Sequence, residues 1–189
     1  MTVLRTLTLG LMFALAASGL QATVAVKLDV ATLTEKSELI VVGKVDSKAA
    51  KWDAAKTGIW THHNVSVSET LKGKHEKTRD VVTRGGVVGT TGQNVSGAGN
   101  LEVGTEYVFF LWKDDDGRYR LQGMIQGAFE VSDRAGVKYA KNSLAGLSIV
   151  DAETLKPMKT AALEFKFADL KKEVATELKD QAADSKDDE

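Results

Sequence analysis

ELIVVGKV at residues 38–45, a short polar stretch, and then GIWTHHNVSVSETLKG at 58–73 decide how this chain is read. In the first run Val41, Gly43 and Val45 fall on one face while Lys44 and Asp46 face water, as in a strand, and Gly43 marks a bend or a close backbone approach. In the second, Ile59, Thr61, His63, Val65 and Val67 share one face and Trp60, His62, Asn64, Ser66 and Ser68 the other, the alternation of an antiparallel strand with one solvated side. Leu71-Lys72-Gly73 ends it in a turn.

Downstream, TRDVVTR at 78–84 is a further strand, and GGVVGTTGQNVSGAGNLEVG at 85–104 holds seven glycines in 20 residues. Such a segment has high chain entropy and few side-chain anchors, so it predicts a functional or mobile loop. TEYVFFLWK at 105–113 is apolar on both faces, Tyr107, Phe109 and Leu111 against Val108, Phe110 and Trp112, which predicts a central strand covered on both sides. Asp114-Asp115-Asp116-Gly117 predicts a tight hairpin leading into RYRLQG, with Tyr119 and Leu121 inward and Arg118 and Arg120 outward. AFEVSD and GVKYA read as one more hairpin turning near Arg134 to Gly136. The single proline, Pro157, marks the change to a helical tail, where Phe167, Leu170, Val174 and Leu178 form one apolar stripe on a helix of about 12 residues that caps the outer face of the Phe110 strand. Before Glu38, VKLDVATLTEKSE reads as a strand leading into one helical turn.

The fold class predicted from this order is mainly β: a small closed OB-like β-barrel with a C-terminal amphipathic helix. Residues 1–22 read as a secretory signal peptide, from Arg5, an apolar core over Leu7 to Leu20, and small residues at Ala22 and Ala25 for cleavage. Residues 23–178 form one domain, and the acidic, large-apolar-poor 179–189 reads as a disordered tail. Secretion with no cysteine leaves packing alone to hold the fold and excludes thiol catalysis, thiolate metal sites and dithiol redox chemistry. A formal net charge of −1 without a basic stripe argues against nucleic acid. Asn64 and Asn94 begin Asn-Val-Ser sequons, which matter only in a glycosylating host.

Motifs for chemistry are sparse. His62 and His63 are strand neighbours that point to opposite faces, so the pair is not a metal site, and His63 belongs to the core or the barrel mouth. The aspartates at 114–116 lack the later ligands of a calcium loop and suit a solvated hairpin tip. Ser96 sits in NVSGAG, not in a nucleophile elbow, and the glycine-rich segment matches no phosphate-binding pattern. The reading is therefore no catalytic residues, no metal, no cofactor and no enzyme. The segment's bare backbone, with Gln93, Asn94, Ser96 and Asn100, suits draping along a partner's backbone, and Trp52 and Trp60, flanking a turn at 53–58, are an aromatic pair for anchoring it.

SELIVVGKV, the strand ending in Leu71-Lys72-Gly73, the loop, VGTEYVFFLWKDDDGRYRLQG at 103–123 and the final helix together resemble the netrin-like domain, the OB-type barrel of the tissue inhibitors of metalloproteinases, over residues 37–178. The signature LIVVGKV, LKG, VSGA and VGTEYVFFL is also similar to that of secreted bacterial proteins with no assigned activity. The inhibitors chelate a protease zinc through a disulfide-tethered N-terminal cysteine. Neither Thr23 nor Val26, the expected mature starts, is a cysteine, so that role transfers to no residue here. The resemblance implies a secreted or periplasmic, non-enzymatic, monomeric module that binds a protein partner, with an extracellular metalloprotease as one such partner. Glycan or small-ligand binding on an open aromatic face, through Trp60, Trp112 and Tyr119, is the alternative.

Overall fold

The computed structural model describes residues 23–187, so the signal peptide expected over residues 1–22 lies outside the described residues. The chain runs β1 (Thr23–Val26), α1 (Val30–Lys36), β2 (Leu39–Trp52), β3 (Ile59–Lys72), β4 (Thr78–Arg84), β5 (Gly86–Val88), β6 (Thr91–Gln93), β7 (Glu106–Lys113), β8 (Tyr119–Leu121), a 3-10 turn (Met124–Gly127), β9 (Ala128–Arg134), β10 (Val137–Asn142), β11 (Leu147–Val150), β12 (Glu164–Lys166) and α2 (Phe167–Asp187). It is a mainly β structure with a C-terminal helix.

The principal sheet has the order β12-β10-β9-β7-β2-β3-β4-β8, and β8 also pairs with β7. All of these contacts are antiparallel except β4–β8, which is parallel. The long β2–β3 ribbon slips register at three places, between Ile40 and Val41, Val42 and Gly43, and Val45 and Ser47, and each slip bends the ribbon. Gly43 sits at one of them because a Cβ there would lie 2.5 Å from Val65 Cγ1 and 2.8 Å from the Ser66 carbonyl oxygen. The close approach expected from its place in the strand is real.

Two cores lie on the two faces of this sheet. Val41, Val45, Val65, Val81, Tyr107, Phe109, Leu111 and Leu121 fill one. Ile40, Val42, Val108, Phe110 and Phe129 meet Val30 and Leu33 of α1 and Leu170 and Val174 of α2 in the other. β7 is thus buried on both faces, as its sequence predicts, and each fully buried Phe or Leu contributes about 1.5–3 kcal/mol. Phe167 and Leu178 flank that second core, so the predicted helical stripe does cover the Phe110 face.

Local signals set the helix boundaries at the N-terminal side. Asp29 caps α1 by accepting the Thr32 amide at 2.8 Å, and hydrogen bonding to Thr32 holds its carboxyl below the usual carboxylate range. At the C-terminus α2 extends well past the predicted stripe. The expected disordered tail is helical as far as Asp187, because Lys, Asp, Gln, Ala and Ser include neither glycine nor proline to stop a helix already nucleated on the core. Among the described residues no helix is long and apolar enough to cross a membrane.

The glycine-rich segment also departs from expectation. It opens with the small β5–β6 hairpin and then packs inward, with Ala98 and Leu101 buried. Leu101 completes the first core, which a solvated loop cannot do.

Candidate functional site

Strand alternation sends Thr61 and His63 of β3, Thr83 of β4, Tyr107 of β7 and Ala128, Glu130, Ser132 and Arg134 of β9 toward one open cleft of about 910 Å³. Its opposite wall is the glycine-rich segment from Gln93 to Asn100, continued by Ala145 and Gly146. Six glycines, 85, 86, 92, 97, 99 and 146, line the cleft, so much of its wall is bare backbone. Gly97 and Gly146 are glycine for a contact reason: a Cβ on Gly146 would sit 2.6 Å from the Gly97 amide nitrogen, and one on Gly97 2.1 Å from Leu147 Cδ2.

All four loop residues singled out from the sequence, Gln93, Asn94, Ser96 and Asn100, line this cleft. They are not equally free. Gln93 Oε1 accepts the Ile59 amide at 2.6 Å, stapling the segment to β3. The Ser96 carbonyl accepts the Thr23 hydroxyl at 2.7 Å, and Asn100 Oδ1 accepts Lys48 Nζ at 3.1 Å. Asn94 is exposed.

At the floor, His63 is 1% exposed and its Nε2 lies 3.0 Å from Thr83 Oγ1, while Nδ1 is buried without a partner. Burial, with the nearby Lys48 charge second, pushes its pKa down to about 4, so the ring is neutral at pH 7. The expected core position for His63 holds, with the cleft directly above it. On the rim, Arg134 and Lys141 pair with Glu164 at 2.5 and 3.3 Å. Asn142 is buried below, donating to the Gln126 carbonyl and accepting the Leu163 amide. Glu130 and Ser132 were recognisable as one face of a strand by their spacing of two, whereas Arg134, expected in the turn, extends that face in the structure. Nothing local in the sequence said that this face would meet the loop.

The two tryptophans do not form a pair. Across β2–β3, Trp52 stands opposite Ile59 and Trp60 opposite Lys51, so their side chains leave opposite faces of the ribbon. Trp52 is 39% exposed, whereas Trp60 is 6% exposed beneath the guanidiniums of Arg84, Arg118 and Arg120, whose central carbons lie 4.6, 4.2 and 5.0 Å from the ring centroid. Neither tryptophan lines the cleft. Trp112 is covered by Arg120 at 5.1 Å, and Tyr119 by Arg79 and Lys113. Each of the three rings expected to offer an open aromatic face thus has at least one cation stacked near it. Among the described residues no group of three or more histidines and carboxylates is placed to hold a metal ion.

No family model matches this chain, and no curated protein matches it.

Proposed function

We propose that this chain is an exported, non-enzymatic binding module built on an OB-type barrel, which takes an extended segment of a protein partner into the cleft between β9 and the glycine-rich wall. The observation that carries the reading is that Gln93, Asn94, Ser96 and Asn100 all line one cleft of about 910 Å³ together with six glycines. Unshielded amides and carbonyls hydrogen-bond a peptide backbone of any sequence, and the neighbouring side chains then select. The barrel reading is supported by pairing that runs β7-β2-β3-β4-β8 and back to β7, with a parallel contact between the third and the last strand in sequence. The apolar run over Leu7 to Leu20 followed by Ala22 supports export.

Binding is favoured over catalysis by the state of the one histidine in the cleft. With a pKa of about 4 and no carboxylate on Nδ1 to orient the ring, His63 is a poor general base for the Thr83 hydroxyl. An extracellular protease is the partner class that the netrin-like resemblance implies.

A library of displayed random heptapeptides panned on the immobilised protein tests the reading. Enriched peptides should bind the wild type and lose at least about tenfold in affinity to Ser132→Trp, whose indole projects from β9 into the cleft. No enrichment, or equal binding to the Ser132→Trp variant, would overturn it.

A further inference from the structure

Across β3–β4, Arg84 stands directly opposite Trp60, and across β7–β8, Arg120 stands opposite Trp112. Both arginines project from paired strands, so their positions are set by the sheet and not by a flexible loop. Together with Arg118 they place three guanidiniums around one indole. Cation–π contact explains why each lies there singly; it does not neutralise three like charges. Only Arg118 is neutralised, by Asp114 at 2.9 Å and Asp116 at 2.5 Å. Among the described residues Arg84 and Arg120 take part in no ion pair. Asp53, the carboxylate that feels Arg84, has given both oxygens to Thr57, at 2.7 and 2.8 Å. Burial, then Asp114 in the opposite sense, then repulsion from Arg84 and Arg118 act on Arg120, and the net effect lowers its pKa. The cluster is therefore a rigid, partly desolvated positive site with unused donors, and guanidinium forks match carboxylate oxygens in pairs.

Pairing with Trp60 puts the Arg84 side chain on the face of β4 away from Thr83, but Arg84 lies at the end of the strand and is among the residues that line the cleft. Its Nη1 and the Oε1 of the cleft residue Gln93 lie 3.7 and 3.8 Å from where a Cβ on Gly58 would sit, so the cluster meets the cleft around that edge. We propose that Arg84 and Arg120, backed by Arg118, anchor an acidic side chain of the peptide segment held in the cleft, which makes the partner segment one that carries aspartate or glutamate next to its bound stretch. This rests on the peptide-cleft reading above and adds the chemistry of its partner. A negatively charged polysaccharide is the competing occupant, but the bare-backbone wall leading away from Arg84 offers amides and carbonyls, which suit a peptide chain.

Fluorescence anisotropy with labelled ten-residue peptides decides it, using one that alternates glutamate and serine, its glutamine and serine counterpart, and a heparin-type oligosaccharide as competitor. The glutamate peptide should bind the wild type about tenfold more tightly than the glutamine peptide, as expected for charge-assisted hydrogen bonds. Arg84→Gln/Arg120→Gln should abolish that preference, and Arg84→Gln alone, at an exposed position, should reduce it at least about threefold should the double variant fail to fold. Ser132→Trp should weaken both peptides equally. Equal binding of the two peptides to the wild type, a preference untouched by the arginine variants, or an oligosaccharide that binds Arg84 and Arg120 more tightly than the glutamate peptide each overturns the anchor while leaving the cleft reading standing. Failure of both peptides to bind the wild type overturns the two together.

Discussion

His63 Nε2 lies 3.0 Å from Thr83 Oγ1 at the floor of the cleft, and the other nitrogen of the same ring is buried with no partner at all. A charged imidazole in that place would be desolvated and would face Lys48, which is why the ring stays neutral.

That pair makes stability depend on pH in a definite direction. The ring titrates at about 4 when folded against 6.5 ordinarily, so between those values the unfolded chain binds more protons and stability rises with pH. The contribution is complete above 6.5 and is lost as pH falls toward 4, by at most about 3 kcal/mol. Urea midpoints measured from pH 4.5 to 7 should fall with acidity in the wild type and fall distinctly less in His63→Gln; parallel curves would show that another group dominates.

At Gly146 the expected effect is steric. Its φ is +76°, and an added methyl would press on the Gly97 amide nitrogen 2.6 Å away, so Gly146→Ala should cost about 1–3 kcal/mol. Gly136→Ala is the control, with φ +82° but nothing within 4 Å, and should cost less. Chemical denaturation of the two variants side by side measures the difference.

The two parts of α2 should behave unequally. Phe110→Ala, which empties the core under Leu170 and Val174, should cost about 3–5 kcal/mol. Deleting residues 179–189, whose described side chains are mostly exposed, should change stability by less than about 1 kcal/mol. A larger loss in a calorimetric melt would mean that the acidic end of the helix contributes to docking.

Thr23 ties β1 to the cleft wall through its hydroxyl bond to the Ser96 carbonyl, 73 residues away in sequence. Thr23→Val should cost about 1 kcal/mol and speed hydrogen exchange at the Ala98 amide, which closes the adjoining turn onto the Val95 carbonyl. Unchanged exchange there would show that the parallel β1–β11 pairing alone holds this wall.

What the amino-acid order determined by itself is everything that follows from period and local chemistry. The double-faced β7, the Asp-Gly hairpin, the turn at Ala135–Gly136 and the apolar stripe of α2 were legible because a period of 2 or 3.6 and a turn residue act over a few positions. The glycine-rich segment was legible as a candidate binding surface from composition alone, and its residues do line the cleft.

Three features were decided only in three dimensions. Trp52 and Trp60 flank one turn, yet pairing register puts them on opposite faces, since a partner strand sets which residues stand opposite each other. The glycine-rich segment looks solvated until Leu101 finds a core assembled from β2, β3, β4 and β7. Arg84 reaches the Trp60 indole through the β3–β4 pairing, whereas Arg118 and Arg120, more than 30 residues further on, are brought over the same ring by the parallel β4–β8 contact. Burial and charge depend on what arrives from elsewhere in the chain, and no local period encodes that.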